Sequence, residues 1–200
     1  MSENLIYAVF DSSGSNLEMG KSRLCRNLAR TLIQLKNIHT KVEYANLSFE
    51  LYTLNEKLQS VSINPNGDIS AFKSVGSTDL SLLCDFITEL ESREKNCTVM
   101  FFTDGNYKTG DIEALFNTVR KNRYARLMII PVGLDADLRK MLKLKLPLFS
   151  ADNILAAVDY AITYMFGDID TPKSLKDILE IDEGVLFSKD NANLVEDSWD

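Results

Sequence analysis

At 200 residues and 45% hydrophobic content, the chain is long enough to bury one large core and too short for two full domains. Its formal charge of -7 arises entirely in residues 167–200, where ten acids face three lysines, so neither the near-neutral body nor the acidic tail carries the basic stripe of a nucleic-acid binder. No run approaches the roughly 18 to 20 apolar residues that span a bilayer, the opening MSENLIYAVF lacks the marks of a signal peptide, and Cys25, Cys84 and Cys97 fit no metal spacing; the expectation is a cytoplasmic chain with reduced core thiols and no membrane partner.

In chain order, the apolar run Leu5–Phe10 predicts a strand that stops at Asp11, and small residues then lead into a helix patterned by Leu24, Leu28, Leu32 and Leu35. Val42–Ser48 and Phe49–Leu54 read as two further strands that could pair as a hairpin, and Asn64-Pro65-Asn66-Gly67 as a connecting loop. Ser77-Thr78-Asp79 offers three capping side chains to a helix carrying Leu80, Leu83, Phe86, Ile87 and Leu90. Val99–Phe102 is a wholly apolar strand that ends at Thr103-Asp104-Gly105. A helix over 111–122, a buried strand over 127–132, a short helix over 136–144, an edge strand near 147–149 and a last helix over 153–165 complete the alternation. Alternation of this kind predicts a doubly wound, Rossmann-like α/β fold with a mostly parallel sheet between helices. From Asp168 onward apolar residues thin out and acids accumulate, giving an expected domain over 1–166 and an acidic tail over 167–200 that is partly disordered or docks on something.

Ligands of open α/β sheets bind beyond the carboxyl ends of the strands, where strand order reverses, so three loops are expected to meet there. They deliver Asp11, Ser13 and Ser15 from the first strand, Thr78 from the loop before the second major helix, and Asp104 from the strand ending at Phe102. All five are hard oxygen donors, suited to Mg2+ or Mn2+ and not to zinc or copper.

The pattern Asp-x-Ser-x-Ser, a distant Thr, and Asp-Gly after a buried strand resembles the metal-ion-dependent adhesion site of von Willebrand factor A domains, over about residues 4–166. The resemblance implies a six-stranded sheet of order 3-2-1-4-5-6 with an antiparallel third strand at its edge. It also implies that Ser13, Ser15 and Thr78 contact a divalent ion directly or through water, that Asp11 and Asp104 act mostly through bound waters, and that a partner protein's Asp or Glu carboxylate takes the remaining position. Length, cysteines and the missing signal peptide liken the chain to the small free-standing members found in prokaryotes. The tail, ending in Glu196-Asp197-Ser198-Trp199-Asp200, suggests self-association through a carboxylate and an aromatic anchor, set against a simple solubilising role.

Two rival readings concern the same region. Gly20-Lys21-Ser22 before a helix looks like the end of a phosphate loop and would make a nucleotide-binding switch, but Ser15 replaces that loop's first glycine and Leu17-Glu18-Met19 places bulk and negative charge where amides must cradle phosphate. A scaffold with a non-essential metal site is the other. In the adhesion-site reading Lys21 is expected to be a solvated residue at a helix start, or one that steers an acidic ligand. The single histidine, His39, lies in a polar turn far from the three loops, which leaves no Ser-His-Asp or Cys-His arrangement, so no reaction is expected.

Overall fold

The structure is a computed structural model, and it describes residues 4–38, 47–62 and 75–166. These form strands β1 (Asn4–Asp11), β2 (Leu47–Leu54), β3 (Leu58–Val61), β4 (Cys97–Thr103) and β5 (Ala125–Pro131). The helices are α1 (Lys21–Ile38), α2 (Leu80–Ser92), α3 (Thr109–Lys121), α4 (Leu138–Lys143) and α5 (Ile154–Phe166), with 3-10 turns at Gly14–Gly20 and Ala151–Asn153. The sheet order is β3-β2-β1-β4-β5, every neighbouring pair being parallel except β2 with β3.

Strands β1, β4 and β5 read as nearly unbroken apolar runs because both faces of the sheet are covered there. Alternate side chains leave a strand on opposite faces. Ile6, Ala8 and Phe10 of β1 therefore join Met100, Phe102, Met128 and Ile130 against α1 and α5. Tyr7 and Val9 join Val99, Phe101, Leu127 and Ile129 against α2, α3 and α4. The leucine spacing in α1 serves the first face: Leu28, Leu32 and Leu35 are buried together with Cys25 and Ala29, while Leu24 is partly covered. In α2, Leu80, Leu83, Phe86, Ile87 and Leu90 recur at three- and four-residue spacing and are buried on the second face. Asp79 caps this helix, its carboxylate accepting from the Ser81 amide at 2.9 Å.

Two expectations are corrected. A single strand runs through Ser48 and Phe49, so the hairpin joins β2 to β3 around Asn55-Glu56-Lys57 instead of dividing at residue 48; Asn55 holds the turn by accepting from the Lys57 amide at 2.9 Å. Among the described residues the sheet has five strands, where six were expected. Leu148 makes only an isolated parallel bridge to Ile129, with the Ile129 amide bonded to Pro147 and the Phe149 amide to Ile129, because Pro147 has no N–H with which to continue a ladder. Residues 42–46 of the predicted Val42–Ser48 strand, the loop at residues 64–67, His39 and the whole acidic tail lie outside the described residues.

Cys25, Cys84 and Cys97 are free thiols. Burial pushes Cys25 up to about 12 and Cys97 up to about 11, which leaves both protonated near neutral pH. Among the described residues no helix is long and apolar enough to cross a membrane.

Candidate metal site

Asp11 and Asp104 stand at or just past the carboxyl ends of β1 and β4, the two central strands from which the chain departs to opposite faces of the sheet: α1 follows β1 on one, α3 follows β4 on the other. This is the crevice position of doubly wound sheets. Thr78 reaches the same place because its loop is tied to the one after β1 by backbone bonds: the Val75 amide donates to the Ser12 carbonyl at 2.9 Å and the Gly14 amide to the Gly76 carbonyl at 2.9 Å. Behind them, the Ser12 amide and hydroxyl both donate to the Leu54 carbonyl, at 2.8 and 3.2 Å, fixing the loop to the end of β2.

The five residues named from the sequence come together through hydrogen bonds. Asp11 Oδ1 accepts from the Ser13 amide at 2.9 Å and from the Thr78 hydroxyl at 2.7 Å. The Ser13 and Ser15 hydroxyl oxygens are 3.0 Å apart, and Ser15 bonds to Asp104. Asp104 Oδ1 accepts from the Asn106 amide at 3.1 Å. Asp11, Ser13 and Asp104 are buried while Ser15 and Thr78 are half-buried, so the polar group opens outward through its hydroxyls. Above it lies a cleft of about 470 Å³ whose lining includes Ser13, Ser15, Thr78, Asn106, Lys108 and Asp111.

The two carboxylates differ electrostatically. Burial pushes the Asp11 carboxyl above its usual range, and the bonds from Ser13, Thr78 and Thr103 offset only part of that. Burial also opposes ionisation of Asp104, but there the bonds from Lys21, Ser15 and the Asn106 amide prevail and hold it below the usual range.

Residues beyond the predicted five complete the arrangement. Thr103 donates to Asp11 Oδ2 at 2.9 Å and receives the Gly105 amide at 3.0 Å, and the buried Tyr107 hydroxyl bonds to Thr103. Tyr107, Thr103 and Asp11 thus form a chain that orients the carboxylate. A threonine closing an otherwise apolar strand was its only sequence signal. Gly105 is required by its surroundings: at φ 77°, a Cβ there would sit 2.6 Å from Met141 Cε and 3.2 Å from the Asp137 carbonyl. That close approach lets the Asp137 amide donate to the Asp104 carbonyl at 2.7 Å.

Lys21 departs from expectation. Its side chain is only 1% exposed, not solvated, and its ammonium lies 2.9 Å from Asp104 Oδ2 and 2.7 Å from Asp135 Oδ2. Burial opposes its charge, but the bonds to Asp135 and Asp104 outweigh that and raise its pKa. An ammonium engaged by two carboxylates is not free to grip a phosphate, which counts against the phosphate-loop reading.

The donor set fits a hard divalent cation: two carboxylates and three hydroxyls from three loops, with a buried acid whose ionisation an adjacent cation would favour. Among the described residues no three His, Cys, Asp or Glu side chains cluster as metal ligands, as expected where hydroxyls supply most of the donors.

No protein-family model matches the chain, and no curated protein sequence does. Solved structures do match in fold. A von Willebrand factor type A protein from Catenulispora acidiphila is 12% identical with a TM-score of 0.57, the match covering 82% of this chain and 43% of that one. Proximal thread matrix protein 1 from the mussel byssus, with a zinc-occupied adhesion-site motif, is 15% identical with a TM-score of 0.52 and is covered over 45% of its length, against 80% of this chain. The manganese-loaded TRAP protein of Plasmodium vivax is 14% identical with a TM-score of 0.51, over 80% of this chain and 73% of that one. The chain thus spans less than half the length of the first two. With a five-stranded, mostly parallel sheet flanked by helices on both faces and these structures as its neighbours, the chain has the von Willebrand factor A fold.

Proposed function

We propose that this protein is a metal-dependent protein-binding module. The observation that carries the reading is the convergence of Asp11, Ser13, Ser15, Thr78 and Asp104 at the carboxyl end of the central strands, linked by hydrogen bonds and open to a cleft. In this reading the hydroxyls of Ser13, Ser15 and Thr78 would hold Mg2+ or Mn2+, with Asp11 and Asp104 as the balancing carboxylates. When bound, the ion would supply an electrophilic position for a partner protein's Asp or Glu carboxylate, a pairing stronger behind a closed interface than on an open surface. Two carboxylates only neutralise a divalent ion, and Lys21 offsets Asp135, so the ion would keep an electrophilic position for an anionic ligand, although Glu56, Asp79 and Asp111 outnumber Lys108 in the cleft lining. Beside the site the loop after β5 and helix α4 present Leu134, which is fully exposed, and Leu138 and Leu142, both about half exposed. Exposed apolar side chains on the flank of a charged centre suit a protein partner better than a small anion. Binding rather than catalysis, in the cytoplasm, is part of the same proposal.

The test is retention of protein partners from a lysate of the source cells on the immobilised chain, in Mg2+ and in chelator, with Asp11→Ala alongside. The reading predicts partners held by the wild type in Mg2+ alone and released by chelation or by the substitution. Partners held equally in all four conditions would instead indicate a scaffold indifferent to the site.

A further inference from the structure

Lys21 is built into the site. It opens α1 immediately after the 3-10 turn Gly14–Gly20, and its alkyl chain passes beneath the loop that follows β5. Gly133 in that loop has φ 96°, and a Cβ there would fall 2.7 Å from Lys21 Cε and 3.2 Å from its Cδ, so the loop backbone closes over the side chain only because residue 133 has none. The ammonium emerges between two carboxylates of unlike setting: Asp104, 3% exposed, and Asp135, 40% exposed. It is bonded to Asp104 Oδ2, while Asp104 Oδ1 receives the Asn106 amide.

We propose that Lys21 is the site's resident cation, competing with a divalent ion for Asp104 and so setting the affinity of the site, while Asp135 is the counter-charge that draws the ammonium away from Asp104. This rests on the metal reading above and adds to it a residue that tunes the ion's binding. A fixed positive charge against one oxygen of a candidate carboxylate reduces what that group can offer a second cation, and the penalty is large where solvent is excluded. Asp135 acts in the opposite sense: when it shares the ammonium, less positive charge rests on Asp104. The two substitutions therefore have opposite expected effects, which a purely structural salt bridge does not produce, since breaking a strut from either end loosens the same site.

The experiment is Mn2+ titration of the 200-residue chain, read from the electron paramagnetic resonance signal of the free ion, for wild type, Lys21→Met, Asp135→Asn and Asp11→Ala. Lys21→Met is expected to bind Mn2+ at least about tenfold more tightly than wild type. Asp135→Asn is expected to bind about threefold more weakly, as befits a half-exposed partner. Asp11→Ala should bind none. If wild type binds Mn2+ and Lys21→Met binds no tighter, this proposal fails while the metal reading stands. If neither binds, both fail. Binding by Lys21→Met alone would mean that the lysine excludes the ion outright, which supports the competition. Should Lys21→Met not fold, Asp135→Asn decides: weaker binding with unchanged folding supports the proposal, and unchanged or tighter binding overturns it.

Discussion

Saturating Mg2+ or Mn2+ is expected to raise the melting temperature of the wild-type protein by about 5 to 11 °C over its value in chelator. A ligand held only by the native state at 100 times its dissociation constant adds about 2.7 kcal/mol, and in a chain of this size each kcal/mol moves the midpoint by about 2 to 4 °C. Asp11→Ala is expected to lose the increment. The substitution also lowers the chelator baseline, because the Ser13 amide and the Thr78 and Thr103 hydroxyls lose their acceptor. The informative quantity is therefore the difference between metal and chelator within each protein. Scanning calorimetry or fluorimetry with and without the ion measures it, and an equal shift in wild type and variant would place the ion elsewhere.

The second large effect lies in the core beneath the site. Phe102 is fully buried two residues before Asp104 and stacks on Phe10 of the neighbouring strand, with ring centroids 4.3 Å apart at 14°. Phe102→Ala is expected to cost about 3–5 kcal/mol, since it removes the stack and leaves a cavity that strands fixed on both sides cannot fill. Both central strands carry site residues at their ends, Asp11 beyond Phe10 and Asp104 beyond Phe102, so the loss reaches the site through its supports. Urea unfolding of the two proteins measures the cost, and a loss below about 1 kcal/mol would mean that this face of the sheet is less tightly closed than described.

Much of this architecture was legible in the sequence, for reasons that particular elements make clear. Val99–Phe102 and the run over 127–132 announced themselves because a strand buried on both faces has no polar side to confuse it, and α1 and α2 because their leucines recur at helical spacing against one core. The start of β2 misled: Ser48 is a partly covered polar residue inside a strand, and it mimics a boundary. The sixth strand failed for a backbone reason, the missing N–H of Pro147, which pattern reading underweights when the flanking residues are apolar.

The convergence of the five candidate residues was readable because each lies close to the end of an identifiable strand or the start of an identifiable helix, where the fold dictates that loops converge. Their supports were less so. Asp135 lies in a loop with no spacing that links it to Lys21, and the contact between them is created by the path of β5 beside β4. The burial of Lys21 could not be anticipated either: a lysine at a helix start is ordinarily solvated, and only the close passage of Gly133 over its side chain encloses it. A sequence reports which donors exist. It reports poorly which long side chains fold back among them.

The most direct test of the central claim is the stoichiometry of Mn2+ bound to the wild-type chain, read from loss of the free-ion resonance and repeated with Ser13→Ala and Thr78→Ala. These hydroxyls are chosen because their removal deletes donors without adding or removing charge. One ion per chain, with binding weakened in each variant, is the result predicted here. A free-ion signal that tracks total Mn2+ in the wild type, or bound ion indifferent to both substitutions, would contradict it.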